Sequence, residues 1–138
     1  MADYYTLFSA IIPNLTPEEA FWLRGEYERR KNMEDDDGLP LSDFGFQIET
    51  GKDSFSAWIH DDMLGNVDAV ADFVQCFLKR FRPNECWGME WSNSCSKPRT
   101  DAYGGGAIFV TAKKVESSLT CQWLADMEAK FGKRKKKK

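Results

Sequence analysis

The stretch NVDAVADFVQCFLKRFRP, from Asn66 to Pro83, decides the fold class of this chain. Its large apolar residues recur at the spacing of a helix that buries one side, with Asn66 as a fitting N-cap and Pro83 as the terminator. The apolar stripe consists of Val70, Phe73, Val74, Phe77, Leu78 and Phe81. An amphipathic helix of this kind packs against another layer, and the flanking segments predict a sheet.

Upstream of this helix the sequence predicts a strand, a helix and a hairpin. The first helix has the clearest local signal, because Thr16 and Glu19 form a capping box around Pro17 at the first helical position. The hairpin is predicted from two runs that alternate apolar and polar residues around a turn at Gly51. The predicted bounds are Tyr4–Ile12, Pro17 to about Lys31, Phe44–Glu49 and Ser54–His60.

Downstream the sequence predicts strands at Cys86–Trp91 and Gly106–Ala112, then a last helix that opens at Ser117 or Ser118. The first six elements match the ferredoxin-like order, followed by an extra strand and a C-terminal helix. We therefore expect an α+β two-layer sandwich, a mostly antiparallel sheet with helices on one face. The other face would be open unless the third helix covers it. It would display Gln47, Glu49, Trp58, His60 and Glu90.

The charge of the chain is divided unevenly along its 138 residues. We expect one α+β domain over residues 1–132 and a disordered basic tail over 133–138. The net charge is −3, but residues 1–132 hold 13 Lys and Arg against 22 Asp and Glu, a net of −9. An acidic body disfavours nucleic acid, except weakly through the tail, and suits a basic protein partner.

The cysteines and the apolar runs indicate a cytoplasmic protein without cofactor or metal. No apolar run approaches the roughly 18 residues of a membrane span, and the N-terminus lacks the basic region of a signal peptide. The four cysteines contain no CxxC pair, and His60 is the single histidine. Neither pattern favours zinc, and reduced thiols are expected in the cytosol.

The long segment between the last two predicted strands is the best candidate for a ligand site. Pro98 holds Lys97 and Arg99 in an extended segment, and consecutive glycines follow, whose N–H groups can bind an anion. The predicted anion-binding residues are Cys95, Lys97, Arg99, Gly104, Gly105 and Gly106. Two alternatives stay open: a tight turn with locally paired cations, or a Cys95 nucleophile with His60 as its base.

Trp58, His60 and Glu90 are candidates for a recognition surface. Trp58 falls on the polar phase of its strand, where a tryptophan is unexpected. An exposed Trp58 would mark a binding surface, whereas a covered one would show that the third helix or the long loop packs there.

Three segments of the chain are similar to a signature found in small uncharacterised proteins of bacteria and phages. They are WGMEW at Trp87–Trp91, CSKPR at Cys95–Arg99 and GGGA at Gly104–Ala107. The resemblance implies a bacterial or mobile-element accessory protein of the cytoplasm. It implies no particular activity.

The leading functional hypothesis is a non-enzymatic module that binds and inhibits a protein partner. Immunity proteins and phage anti-defence proteins have this general build, which is an analogy of size and charge. The alternative is a protein that binds a small anion such as phosphate or a nucleotide, or a small enzyme, using the Cys95–Gly106 loop. A third hypothesis, mimicry of DNA, requires rows of acids spaced like phosphates.

Overall fold

The computed structural model describes residues 3–100 and 102–132; the basic run at 133–138, predicted to be a tail, lies outside them. The chain forms six strands and three helices. In chain order they are β1 (Tyr4–Leu15), α1 (Pro17–Lys31), β2 (Gly45–Thr50), β3 (Phe55–Asp61), α2 (Val67–Phe81), β4 (Cys86–Cys95), β5 (Gly104–Thr111), β6 (Val115–Leu119) and α3 (Thr120–Phe131).

The strands form a single antiparallel sheet in the order β2-β3-β1-β4-β5-β6. The first four strands, with α1 and α2 as their crossovers, have the predicted ferredoxin-like arrangement. The hairpins β4-β5 and β5-β6 then extend the sheet beyond β4. The predicted α+β fold with two layers is confirmed.

One face of the sheet carries the core, and α1 and α2 cover it. The stripe predicted for α2 is buried there, with Phe73 and Phe77 fully enclosed, while Phe81 at the helix end is partly buried. Alternate residues of the strands supply the other half of the core, including Ile12, Ile59 and Val110. On β4, Trp87 and Met89 are buried against this core and Trp91 is half-buried beside them.

The capping box predicted for α1 is present and is tied to the rest of the fold. Thr16 Oγ1 accepts from the Glu19 N–H at 3.1 Å, and Glu19 Oε1 accepts from the Thr16 N–H at 2.9 Å. Arg82, which follows α2, donates to Glu19 Oε2 at 3.0 Å. Burial raises the pKa of Glu19, but these hydrogen bonds outweigh it and hold the pKa below its usual value.

The C-terminal part of the chain differs from the prediction in one element. The residues expected to open the last helix, Ser117 and Ser118, lie instead in β6 and pair with Ile108 and Ala107 of β5. The helix begins at Thr120, and its N-cap, Leu119, makes no side-chain hydrogen bond. Ser117 and Ser118 resemble N-caps in the sequence, but pairing with β5 uses their backbone groups in the sheet.

Candidate functional site

The loop between β4 and β5 is shorter than expected, because β4 continues to Cys95 and β5 begins at Gly104. Lys97 and Arg99 lie in this loop and are exposed. The Tyr103 hydroxyl donates to the Cys95 carbonyl at 2.9 Å, which holds the end of the loop against its own start. The structure therefore presents both predicted cations to solvent.

The three glycines lie within β5, where they allow its neighbours to approach closely. A Cβ on Gly105 would collide with the Trp91 carbonyl, and one on Gly106 would collide with the Ser118 carbonyl. Gly104 and Gly105 also have positive φ angles of 133° and 149°. The Gly105 N–H donates to Thr120 Oγ1 at 3.0 Å, so this donor is engaged within the chain. The anion site built on these glycines stays a prediction.

Cys95 and His60 lie on opposite faces of the sheet. Cys95 is opposite Tyr4 of β1, whereas His60 is opposite Ser9 of the same strand. Five residues separate Tyr4 from Ser9, about 17 Å along a strand, and an odd spacing reverses the face. The Cys95 side chain is buried. For His60 to act as the base of a Cys95 nucleophile, the two side chains would have to lie within hydrogen-bond distance. Their positions on opposite faces of the sheet keep them apart.

The face opposite the helices, which we term the open face, carries the surface candidates. Trp58 and His60 stack on it with ring centroids 3.8 Å apart and an interplanar angle of 25°. Trp58 Nε1 donates to Ser9 Oγ at 2.8 Å, which fixes the indole. The His60 ring lies over Gly45, its partner in β2, where a Cβ would approach Nδ1 to 2.8 Å. The imidazole thus fills the space that a side chain at Gly45 would take.

Large apolar side chains form a row across the open face. Ile11 is directly opposite Trp58 in the β1–β3 pairing and is 51% exposed. The β1–β4 ladder, which pairs Tyr4–Leu7 with Ser92–Cys95, puts Ile11 and Gly88 on the same face of the sheet, and the Phe109 ring lies against Gly88 from β5. Phe109 is 48% exposed. We call Trp58, Ile11 and Phe109 the apolar row.

Acidic groups border the apolar row on several sides. Glu49, Glu90 and Glu116 are exposed. By their register all three face the same side of the sheet as Trp58 and Phe109. Two cavities of about 600 and 550 Å³ open on this face, the first beside Trp58, His60 and Asp61 and the second between Glu90, Phe109 and Glu116. The face therefore combines apolar anchors with negative charge.

Sequence reasoning found Trp58, His60 and Glu90 but missed Ile11 and Phe109. Trp58 stood out because it is an aromatic residue at one of the positions of its strand that are otherwise polar. The strand that holds Ile11 has apolar residues on both faces, so it lacks the alternation that would mark Ile11 as outward. Phe109 lies between the buried Ile108 and Val110, and the run indicates a strand without indicating its outer face.

Thiols and possible metal ligands lie dispersed over the described residues, 3–100 and 102–132. No group of three or more His, Cys, Asp or Glu side chains within these ranges is placed to hold a metal ion. The four cysteines are free thiols: Cys95 is buried, Cys76 is half-buried, and Cys86 and Cys121 are exposed. None of the three helices described is long and apolar enough to cross a membrane.

Comparison of the chain with protein-family models, with curated proteins and with solved structures finds no match.

Proposed function

We propose that this chain is a non-enzymatic accessory module that binds a basic protein partner on the open face and inhibits it. The observation that carries the proposal is the apolar row, in which Ile11 and Phe109 are exposed and Trp58 is half-buried on a sheet face that neither α1 nor α2 covers. Large apolar side chains grouped on an exposed surface are typical of protein interaction sites.

The rigidity of the open face supports binding with little ordering cost. The Trp58 indole is fixed by its hydrogen bond to Ser9 and by stacking on His60. The Phe109 ring rests against the glycine backbone at Gly88. Side chains that are already ordered lose little conformational entropy when a partner covers them. These residues are therefore suited to anchor a partner.

The charge of the molecule supports a basic partner. Residues 1–132 carry a net charge of −9, and Glu49, Glu90 and Glu116 lie around the apolar row on the same face. Such a field attracts a positively charged surface and accelerates its association at low ionic strength. The free thiols suit a reducing compartment, and we place the activity in the cytoplasm of a bacterium or of a phage-infected cell.

The test is capture from a bacterial lysate by the full chain, by an open-face variant and by a matched control. The variant carries Ile11→Asp and Phe109→Asp, which put charges into the apolar row. The control is Phe21→Asp, because Phe21 is 80% exposed on α1, away from the open face. We expect a stoichiometric partner that the wild type and the control retain and that the variant loses.

The captured partner is then purified, and its association rate is measured at rising salt. A rate that falls with salt is expected for a basic partner steered by this acidic chain. Retention of the partner by the open-face variant would contradict the proposal. Capture of a nucleotide or phosphate in place of a protein, lost on Lys97→Ala, would favour the anion-binding alternative.

A further inference from the structure

The last helix has an apolar side that the described part of the chain leaves mostly uncovered. None of the α3 side chains is buried. Trp123, Leu124 and Phe131 are 58%, 62% and 64% exposed, and Met127 between them is half-buried. A helix of 12 residues is marginal by itself in water and draws its stability from packing its apolar side. This stripe therefore needs a covering surface.

The strand that leads into α3 is an uncovered edge of the sheet. β6 is the last strand of the sheet order, and all five of its residues are exposed. An edge of this kind offers its outward N–H and C=O groups for pairing with another strand. The helix follows at once, and Thr120 Oγ1 is fixed to Gly105 by hydrogen bonds of 3.0 and 3.1 Å to its N–H and C=O. The open edge and the open stripe thus form one continuous surface.

We propose that two copies of this chain associate edge to edge through β6, with α3 of each copy packing on the other. Antiparallel pairing of one edge strand with itself is isologous and gives a closed twofold dimer. The inference rests on β6 and α3 and is independent of the apolar row, which lies on β1, β3 and β5.

The sequence of β6 complements itself in one register. Centring the twofold axis on Ser117 places Val115 opposite Leu119 of the second copy, and these two residues are 42% and 41% exposed. Glu116 then faces Ser118 instead of another acid, and like charges directly opposite would be destabilising. Within its own chain, Glu116 forms an ion pair with Lys114, whose Nζ lies 3.4 Å from Glu116 Oε1. The register joins apolar with apolar and avoids a clash of charge.

The same register places the start of α3 beside the β5–β6 turn of the second copy, which carries Lys113 and Lys114. The acids of α3, Asp126 and Glu128, have the opposite sign. A buried aromatic side chain contributes about 150–250 Å², so the exposed stripe of α3 offers on the order of 300 Å² per copy. A stable interface takes about 800 Å² per partner. Pairing of the five residues of β6 adds to this area, and because the total stays below that of a stable interface we expect a weak dimer, with a dissociation constant on the order of 10 µM or above.

The test measures the mass of the full chain by sedimentation equilibrium from about 1 µM to about 300 µM. We expect the mass to rise from one chain to two across this range. Trp123→Asp combined with Leu124→Asp should weaken dimerisation at least tenfold, because it charges the stripe. Both residues are more than half exposed, so the fold should persist, which circular dichroism checks.

Two single substitutions in β6 test the register. Ser117→Lys puts two lysines directly opposite each other on the axis and should weaken the dimer about tenfold, the effect of like charges at close range. Ser118→Lys, one residue away, faces Glu116 of the second copy and should leave the dimer as tight or tighter. A chain that stays monomeric at every concentration, or equal weakening by the two lysines, would overturn the proposal.

Discussion

Glu26 is the acid on which two arginines of α1 converge. Arg29 Nη2 lies 2.6 Å and Arg30 Nε 2.8 Å from Glu26 Oε2, and Arg30 also reaches Asp72 of α2 at 2.6 Å. The hydrogen bond from Arg29 is the largest influence, and with that from Arg30 it outweighs burial and lowers the pKa of Glu26 from 4.5 to about 2. The cluster ties the exposed side of α1 to α2.

This lowered pKa predicts a pH dependence of stability. The folded state holds the proton of Glu26 more weakly than the unfolded chain, so its stabilising effect is complete above about pH 4.5 and is lost as the pH falls through about 2. We expect Glu26→Gln to lower the free energy of unfolding near pH 7 by about 1–2 kcal/mol. Urea titrations should show this difference shrinking steadily below about pH 4.

The matched control is Glu28→Gln, an exposed acid two residues further along α1. It should change stability near pH 7 by less than about 0.5 kcal/mol. A difference between Glu26→Gln and the wild type that stays constant from neutral to acid pH would contradict the role assigned to Glu26.

Gly105 is a second residue whose substitution has a definite expected effect. Gly105→Ala should destabilise the fold by about 2–4 kcal/mol. Alanine would have to adopt the positive φ of this position, and its Cβ would collide with the Trp91 carbonyl, which belongs to the backbone of β4. Gly25→Ala is the control: it lies in α1 with nothing within 4 Å of its Cβ and should stabilise by about 0.5–1 kcal/mol. Thermal unfolding of both variants measures the contrast, and similar midpoints would contradict it.

At the scale of elements, α2 and α3 have similar apolar patterns and opposite surroundings. Phe77 of α2 is fully buried, whereas Leu124 of α3 is 62% exposed. We expect Phe77→Ala to cost about 3–5 kcal/mol and Leu124→Ala less than about 0.5 kcal/mol. Denaturant unfolding should be measured below about 1 µM, where the proposed dimer is expected to be dissociated. A large loss with Leu124→Ala under these conditions would mean that α3 packs on its own domain.

The same contrast shows what sequence can predict about elements. The bounds of α1 and α2 follow from signals within the helix: the capping box at Thr16, Asn66 as N-cap and Pro83 after the last turn. The strand β6 has no such signal, because its polar, fully exposed residues are in a strand only through pairing with β5. The apolar side of α3 is visible in the sequence, but its exposure is a property of the assembled sheet.

At the scale of the whole molecule, the fold class and the open face could be predicted, and the arrangement of the candidate site could not. The order of local elements was enough to expect a two-layer α+β fold with helices on one face. The neighbours of a strand depend on topology, so the sequence could not show that Ile11 lies opposite Trp58 or that Phe109 shares its face of the sheet. Nor could it show that Cys95 and His60 face opposite sides of the sheet.

The position of β1 in the middle of the sheet has a consequence for how the chain is made. β1 precedes the other five strands in the chain, yet its partner on one side, Phe55–Asp61, follows only after α1 and β2. Its partner on the other side, Cys86–Cys95, is translated later still. Pairings between distant segments form slowly, because their loops must close first. During synthesis, therefore, β1 waits without a sheet partner until Phe55–Asp61 has emerged, and its other edge stays unpaired until Cys86–Cys95 follows. This is the interval in which a chaperone is most useful.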